Sequence, residues 1–494
     1  MNYYLVAFVA FVGYISYKCY IYPLYLSPLC KIPGPPSGNL FFGHHTSWLN
    51  FERGEAFVHL IKKYGVMFRY HSMFNEPHVL ITDPNLIQKI MITHSYDFPS
   101  FFISRTLAKD YVRESLSFAE GDDHKRFRKA LSPSFSFAIV KEMLPTFFQA
   151  THKMKDIWLK QIGNKKEERI TITDLVPKII LDIIGHVGFN YEFDATGSGT
   201  DLSRAYFTIV NNMPSSLYVF LADFFPVARR IFYTFHKDQY WDSVQFIHNT
   251  SDQLVTNLKI ATTRGNDIMS TLIQTNENLS ASEQLTFNEI CNQITLILTA
   301  GHETVSATTS WALYYLAKNP EAQDQLRKEV LEIFTDRNYF PTLKEIDHLE
   351  YLECVLKETL RIVAPLPEFM RFNVKEEIMN GYVIPKGTPL CIPAYAIHHD
   401  PLIWGDDAED FNPSRWLDPE IKSNISTTNY LPFGAGRRAC PGSKMALLEL
   451  KMILPIIIRN FKFRIVEDFT FKKRTQGFSK PVPGIDLLVS KVDY

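Results

Sequence analysis

Apolar positions along the chain gather into blocks of helical spacing, with one early patch that reads as short strands instead. The longest block runs from Phe287 to about Lys318 and is apolar nearly throughout. Thr286 and Glu289 at its head form a capping box, so a single helix of about 30 residues, roughly 45 Å long, is expected there. A second helix is expected from Gly442 to Ile458, with apolar residues at helical spacing, and in LEYLECVLKETLRIVAPLP, from Leu349, Glu358 and Arg361 stand three apart on one helix face. VMFRYHSM from Val66 and PHVLIT from Pro77 are rich in β-branched and aromatic residues and read as short strands of a small sheet. Tyr3 to Tyr17 carry no charge, and the aromatic run YIYPLYL starts at Tyr20. A bilayer-spanning helix needs about 20 residues, so an anchor is expected to begin near Asn2 and pass Lys18, whose stem can carry its charge to the headgroups.

Some of these blocks contain residues that work against them. Gly301, in the middle of the longest block, costs about 1 kcal/mol relative to alanine, and Glu303 and Thr304 bring polarity into a stretch that otherwise reads as core. Such a local conflict points to a functional site. The plainer alternative is close packing against a neighbouring helix at Gly301, with Thr304 bonded to its own backbone. EGDDHKRFRKALSPSF, from Glu120, reads as a short basic helix with His124 and Arg128 one turn apart. KIPGPPSG, from Lys31 to Gly38, is a stiff proline-rich stretch between anchor and globule. The segment from Ala205 to Phe235 is more aromatic than a surface connection needs.

With 494 residues and 46% hydrophobic content the chain can bury a large core, while a net charge of -1 gives no basic footprint and makes nucleic acid an unexpected partner. Six cysteines (Cys19, Cys30, Cys291, Cys354, Cys391, Cys440) show no C-x-x-C spacing, which argues against a zinc site or disulfide framework and for a reducing compartment. The N-terminal run lacks the basic start and small-residue cleavage site of a signal peptide, and Lys18 and Lys31 after it leave the body of the protein cytosolic.

One cysteine stands apart. PFGAGRRACPG, Pro432 to Gly442, sets Cys440 in a glycine-rich loop that runs into the next helix, so the residue is expected at a helix N-terminus, where backbone N–H groups favour the metal-binding thiolate. Gly434, Gly436 and Ala439 also fit a dinucleotide fingerprint, but STTNYLPF ahead of them is not a buried strand. A purely structural thiol would lie in apolar surroundings, whereas Arg437 and Arg438 flank this one.

The loop matches F-x-x-G-x-R-x-C through Phe433, Gly436, Arg438 and Cys440, and on that long signature the chain resembles a cytochrome P450. Three further stretches carry the resemblance in family order. Ala300, Gly301, Glu303 and Thr304 match A-G-x-[DE]-T, Glu358 and Arg361 match E-x-x-R, and FNPSRW with Arg415 is similar to F-x-P-x-R. The resemblance covers nearly everything from Pro33 onward. It implies the mainly α cytochrome P450 fold, a large helical domain plus a small β-sheet region, with a membrane anchor over 1–32 and the catalytic domain over 33–494.

It also implies a haem-thiolate monooxygenase. The cofactor would be haem b, non-covalent because Ala300 stands where covalently linked members carry Glu. Cys440 would be the axial ligand, pushing electron density toward iron, with Phe433 beside the sulfur and Gly436 in the loop. Arg438, Arg371 and Arg128 would meet the propionates, and His124 stands where the family commonly has Trp, still able to donate. Ala300, Gly301, Glu303 and Thr304 would handle O2 and its protons, and Glu358, Arg361 and Arg415 would form a buried structural cluster. Phe101, Phe102, Phe220, Ala364, Leu366 and Phe478 would line a pocket for a lipophilic substrate such as a steroid, fatty acid, terpenoid or xenobiotic. The chain runs 54 residues past Cys440, too few for a flavin domain. Electrons are therefore expected from a membrane-bound NADPH–cytochrome P450 reductase, with cytochrome b5 as a further partner, at the endoplasmic reticulum. Two other readings stay open: an isomerase or dehydratase on the same fold, against which the intact Thr304 motif speaks, and a non-catalytic haem-binding sensor.

Overall fold

A computed structural model of the chain describes residues 2–44, 54–100, 111–212, 237–260, 265–467, 469–476 and 478–492. The fold is mainly α, with strands of three to six residues. The chain divides into two compact units, one of Met1–Phe102, Leu366–Asp410 and Glu420–Cys440, the other of Ile103–Pro365, Phe411–Pro419 and Pro441–Tyr494.

The first unit is built on a four-stranded sheet. Met67–His71 pairs antiparallel with Pro77–Ile81, which pairs parallel with Pro389–Ile392, which pairs antiparallel with Phe369–Phe372. Because successive side chains in a strand point to opposite faces, the sheet builds two cores at once. Met67, Val79, Ile81, Leu390 and Ile392 pack with Ile87, Ile90, Leu431 and Ala435 on one face. Phe68, Tyr70, Leu80 and Cys391 pack with Phe57 and Val58 of the helix Glu55–Tyr64 on the other. At the start of this unit lies helix Asn2–Ser16, followed by a more widely wound helical stretch, Tyr17–Leu26, that contains Pro23. With the short helical turn Pro28–Lys31 they make up an apolar helical run, Tyr3–Lys31, long enough to cross a membrane and with none of its apolar window buried.

The second unit is organised around the helix Phe287–Lys318, whose bounds agree with the apolar block in the sequence. Its capping box is formed in both directions: the Glu289 N–H donates to Thr286 Oγ1 (3.3 Å) and the Thr286 N–H to Glu289 Oε2 (2.7 Å). Pro320 follows closely and begins the next helix, consistent with the break after Lys318. Helix Ile172–Phe189 packs along the long helix. Gly301 makes that contact close: a Cβ there would lie 2.7 Å from Ile184 Cδ1. Two small sheets complete the unit, a three-stranded one (Glu168–Thr171, Asp486–Lys491, Phe461–Ile465) and the hairpin Lys472–Gln476 with Phe478–Val482. The helix after Cys440 begins at Ser443, not at the cysteine, because Pro441 and the N-cap Gly442 intervene. Cys440 thus lies on the loop itself.

Candidate active site

In the first unit the sheet holds the cysteine loop from beneath. Leu431 and Ala435 are buried in its core, and the Leu431 N–H donates to His398 Nε2 at 2.8 Å. On either side of Ala435 the chain turns through Gly434 and Gly436, both at φ +68°, a region that costs any residue with a Cβ. Gly436 also answers to a close approach, since a Cβ there would lie 2.1 Å from the carbonyl oxygen of Met91. The loop closes on itself where the Cys440 N–H donates to the Phe433 carbonyl at 2.9 Å. Of the six cysteines, all described, Cys440 alone is exposed. The guanidinium groups of Arg437 and Arg438 lie 5.5 and 5.6 Å from the centre of the Tyr96 ring. Arg371 is buried on the edge strand Phe369–Phe372, with Nη1 donating to the Met370 carbonyl at 2.9 Å. Phe433 is half-buried.

In the second unit the middle of the long helix is interrupted by an open face. Ala300 is exposed and Gly301 and Thr304 are half-exposed, while His302 and Glu303 are buried. Thr304 Oγ1 donates to the Ala300 carbonyl at 2.7 Å. Both elements of the plainer reading, close packing at Gly301 and a back-bonded Thr304, are therefore present, and the open face is present with them. Glu303 points into a polar cluster with His302 and Tyr206. On helix Gly121–Leu131, His124 is buried and Arg128 half-buried one turn on.

Glu358, Arg361 and Arg415 meet in the core of the same unit. Arg361 binds Glu358 through Nε (2.9 Å) and Nη2 (2.8 Å), and Arg415 Nε donates to Glu358 Oε1 at 2.9 Å. Two donors complete the carboxylate, the Trp416 indole N–H and the Asn412 backbone N–H, each at 2.9 Å. Sequence reasoning passed over both, although they flank Arg415 in FNPSRW. It also passed over His302, the open position of A-G-x-[DE]-T, and Tyr206, whose partnership with Glu303 spans nearly a hundred residues and leaves no local signal.

A cytochrome P450 family model matches residues 33–489. The chain belongs to the cytochrome P450 family. Among curated relatives it is 28% identical to cytochrome P450 monooxygenase 128 of Postia placenta, covering 91% of this chain and 89% of that protein. It is 29% identical to cytochrome P450 monooxygenase claQ of Ampulloclitocybe clavipes (87% and 85% covered) and 26% identical to secologanin synthase 2 of Catharanthus roseus (88% and 82%). This P450 is an oxidoreductase of the monooxygenase kind, and haem with a thiolate ligand is its family's cofactor. Of the residues expected to line a pocket, Ala364 is buried and Leu366 exposed. Phe101, Phe102 and Phe220 lie outside the described residues, as does the side chain of Phe478.

Proposed function

We propose that this P450 hydroxylates a lipophilic substrate, a steroid, fatty acid, terpenoid or xenobiotic, with O2 and with electrons from a separate NADPH–cytochrome P450 reductase, cytochrome b5 being a further electron donor. The observation that carries the reading is the exposed Cys440 thiol on a glycine loop pinned to a sheet, with Arg437 and Arg438 of the same loop against the Tyr96 ring. That donor set, a soft sulfur with guanidinium groups near, fits an iron porphyrin and its two carboxylates. Cys440 would ligate non-covalent haem b, with Arg438, Arg371, Arg128 and His124 meeting the propionates and Phe433 and Gly436 shaping the loop. When bound, haem supplies the activation of O2 for insertion of one oxygen atom into a C–H bond, the other leaving as water. Thr304, with its proton engaged by the Ala300 carbonyl, offers oxygen lone pairs on its open side, and Glu303, the next residue toward the N-terminus, would help supply protons. Glu358, Arg361 and Arg415 keep the fold that receives the cofactor.

The apolar N-terminal run supports a single-pass anchor over 1–32 in the endoplasmic reticulum membrane, with the catalytic domain, 33–494, in the cytosol. The test of function has two parts. Cys440→Ser should lose the red-shifted Soret band of the ferrous CO complex, and the purified protein with reductase and NADPH should turn over a compound found by substrate-induced spin shift. A band retained by the serine variant removes Cys440 from the ligand role. Conversion of a spin-shifting compound without NADPH would instead favour an isomerase or dehydratase, and stoichiometric product excludes a sensor.

A further inference from the structure

The sequence motif names Glu303, but the structure places it in company that the motif does not specify. Tyr206 of helix Asp201–Asn211, His302 and Glu303 form a triangle: Tyr206 oxygen to His302 Nδ1 2.9 Å, His302 Nδ1 to Glu303 Oε1 3.0 Å, Tyr206 oxygen to Glu303 Oε1 3.4 Å. All three are at most 3% exposed. The other ring nitrogen, Nε2, lies 2.8 Å from the carbonyl of Pro177, on helix Ile172–Phe189. A carbonyl only accepts, so Nε2 carries a hydrogen. In a neutral imidazole Nδ1 then has only a lone pair, and a carboxylate oxygen 3.0 Å away would face it lone pair to lone pair. The contact is attractive only when one proton lies in it, on Nδ1 as an imidazolium or on Glu303 as a carboxylic acid. Tyr206 does not supply that proton by ionising. Burial first, and Glu303 beside it, push its hydroxyl well above the ordinary value, so it stays a phenol and a donor. Tyr111, within electrostatic reach of Glu303 and bonded to Thr299 at 3.1 Å, is raised likewise by burial. Meanwhile the single hydrogen of Thr304 is engaged by Ala300, so Thr304 as placed accepts a proton more readily than it gives one.

We propose that His302 and Glu303, tied by Tyr206, store one exchangeable proton inside the second unit beside Thr304, with His302 and Tyr206 as positioning residues for its delivery. The inference rests on the monooxygenase reading for its use, and on the triangle alone for its existence. On delivery the Glu303 O–H bond breaks and the proton leaves toward Thr304, while His302 remains or returns to the neutral Nε2–H form. One proton from solvent restores the pair.

Isotope-edited infrared spectroscopy of the purified holoprotein, with labelled glutamate and histidine, reads the store directly. At neutral pH a band of protonated Glu303 or of the His302 imidazolium is expected, lost with release of one proton on alkaline titration and absent from both Glu303→Gln and His302→Gln. Tyr206→Phe, which removes one oxygen atom, should shift that band. A wild-type protein with neither band at neutral pH, or with a band unmoved in Tyr206→Phe, overturns the proposal. In turnover, His302→Gln should keep its CO spectrum, lower product per NADPH severalfold in favour of hydrogen peroxide and change the solvent deuterium isotope effect. Unchanged coupling and isotope effect would make the triangle a packing device. Loss of the ligand role of Cys440 would leave the infrared result standing, so failure of the wider reading and failure of the store are separable.

Discussion

Replacing Glu358 tests the buried Glu–Arg–Arg cluster of the second unit. Its carboxylate is 0% exposed and accepts from Arg361 twice, Arg415, Trp416 and the Asn412 backbone, these five contacts lying at 2.8 or 2.9 Å. Glu358→Ala removes all five acceptor contacts and strands two buried guanidinium groups, a loss of about 3–5 kcal/mol. That is a large share of the ~5–15 kcal/mol by which a folded domain is stable. Glu358→Gln discriminates the cause. Its amide nitrogen, standing where Oε2 is, would face the Arg361 Nε–H and the Trp416 N–H, donor against donor, and the charge that two arginines share would be gone. With charge-assisted bonds worth about 1.5–3 kcal/mol each, the glutamine variant should lose at least about 3 kcal/mol although it fills the same volume. The assay is denaturant unfolding of the purified proteins followed by tryptophan fluorescence and circular dichroism, with haem per chain measured on the same samples. Little haem-loaded protein is expected from either variant. A glutamine variant within about 1 kcal/mol of wild type would refute the electrostatic account and reduce the cluster to packing. Normal haem with lost turnover would make Glu358 catalytic.

Three further outcomes can be measured. Gly436→Ala should yield poorly loaded protein, because the new Cβ meets Met91 O at 2.1 Å and the backbone sits at φ +68°; normal haem content would show that the loop relaxes. His71 is held neutral, its pKa lowered from 6.5 to about 4 by burial and by Arg69, whose Nη1 lies 3.2 Å from its Nε2. The unfolded chain therefore takes up this proton first as pH falls, so stability should drop between pH 6.5 and about 4, by up to about 3 kcal/mol, and His71→Gln should flatten that slope. The acceptor asparagines Asn249, Asn278 and Asn424 are all exposed, so a lumenal body would be glycosylated there; in eukaryotic microsomes all three should stay bare, and glycan at any one reverses the topology.

What the sequence made legible was local. The long helix could be bounded because an unbroken apolar block and its capping box lie in one stretch, and E-x-x-R places Glu358 and Arg361 on one face within a single turn. Contacts between distant stretches were another matter. Nothing local tells Pro77–Ile81 that its parallel partner is Pro389–Ile392, or tells Glu303 that Tyr206 will reach it. Arg415 joined the cluster on family resemblance, whereas Trp416 beside it went unread because an indole next to an arginine has no periodicity to betray its direction. The sequence puts Cys440 at a helix N-terminus; the helix proper starts at Ser443, behind Pro441 and the N-cap Gly442.

The parallel pairing of Val79 with Leu390 also orders events on the ribosome. At about 5–20 residues per second, the second partner emerges roughly 15–60 s after the first. Through that interval the hairpin Met67–His71 with Pro77–Ile81 can form, but its outer edge offers unpaired backbone groups to any passing strand. The loop that carries Cys440 arrives later still, so a nascent chain cannot seat that loop on the sheet until the last strand partner is already made. Chaperone demand in a host producing this protein should therefore be set by the waiting N-terminal edge, and a synonymous recoding that slows translation between these strands should lengthen the exposure without altering one atom of the finished molecule.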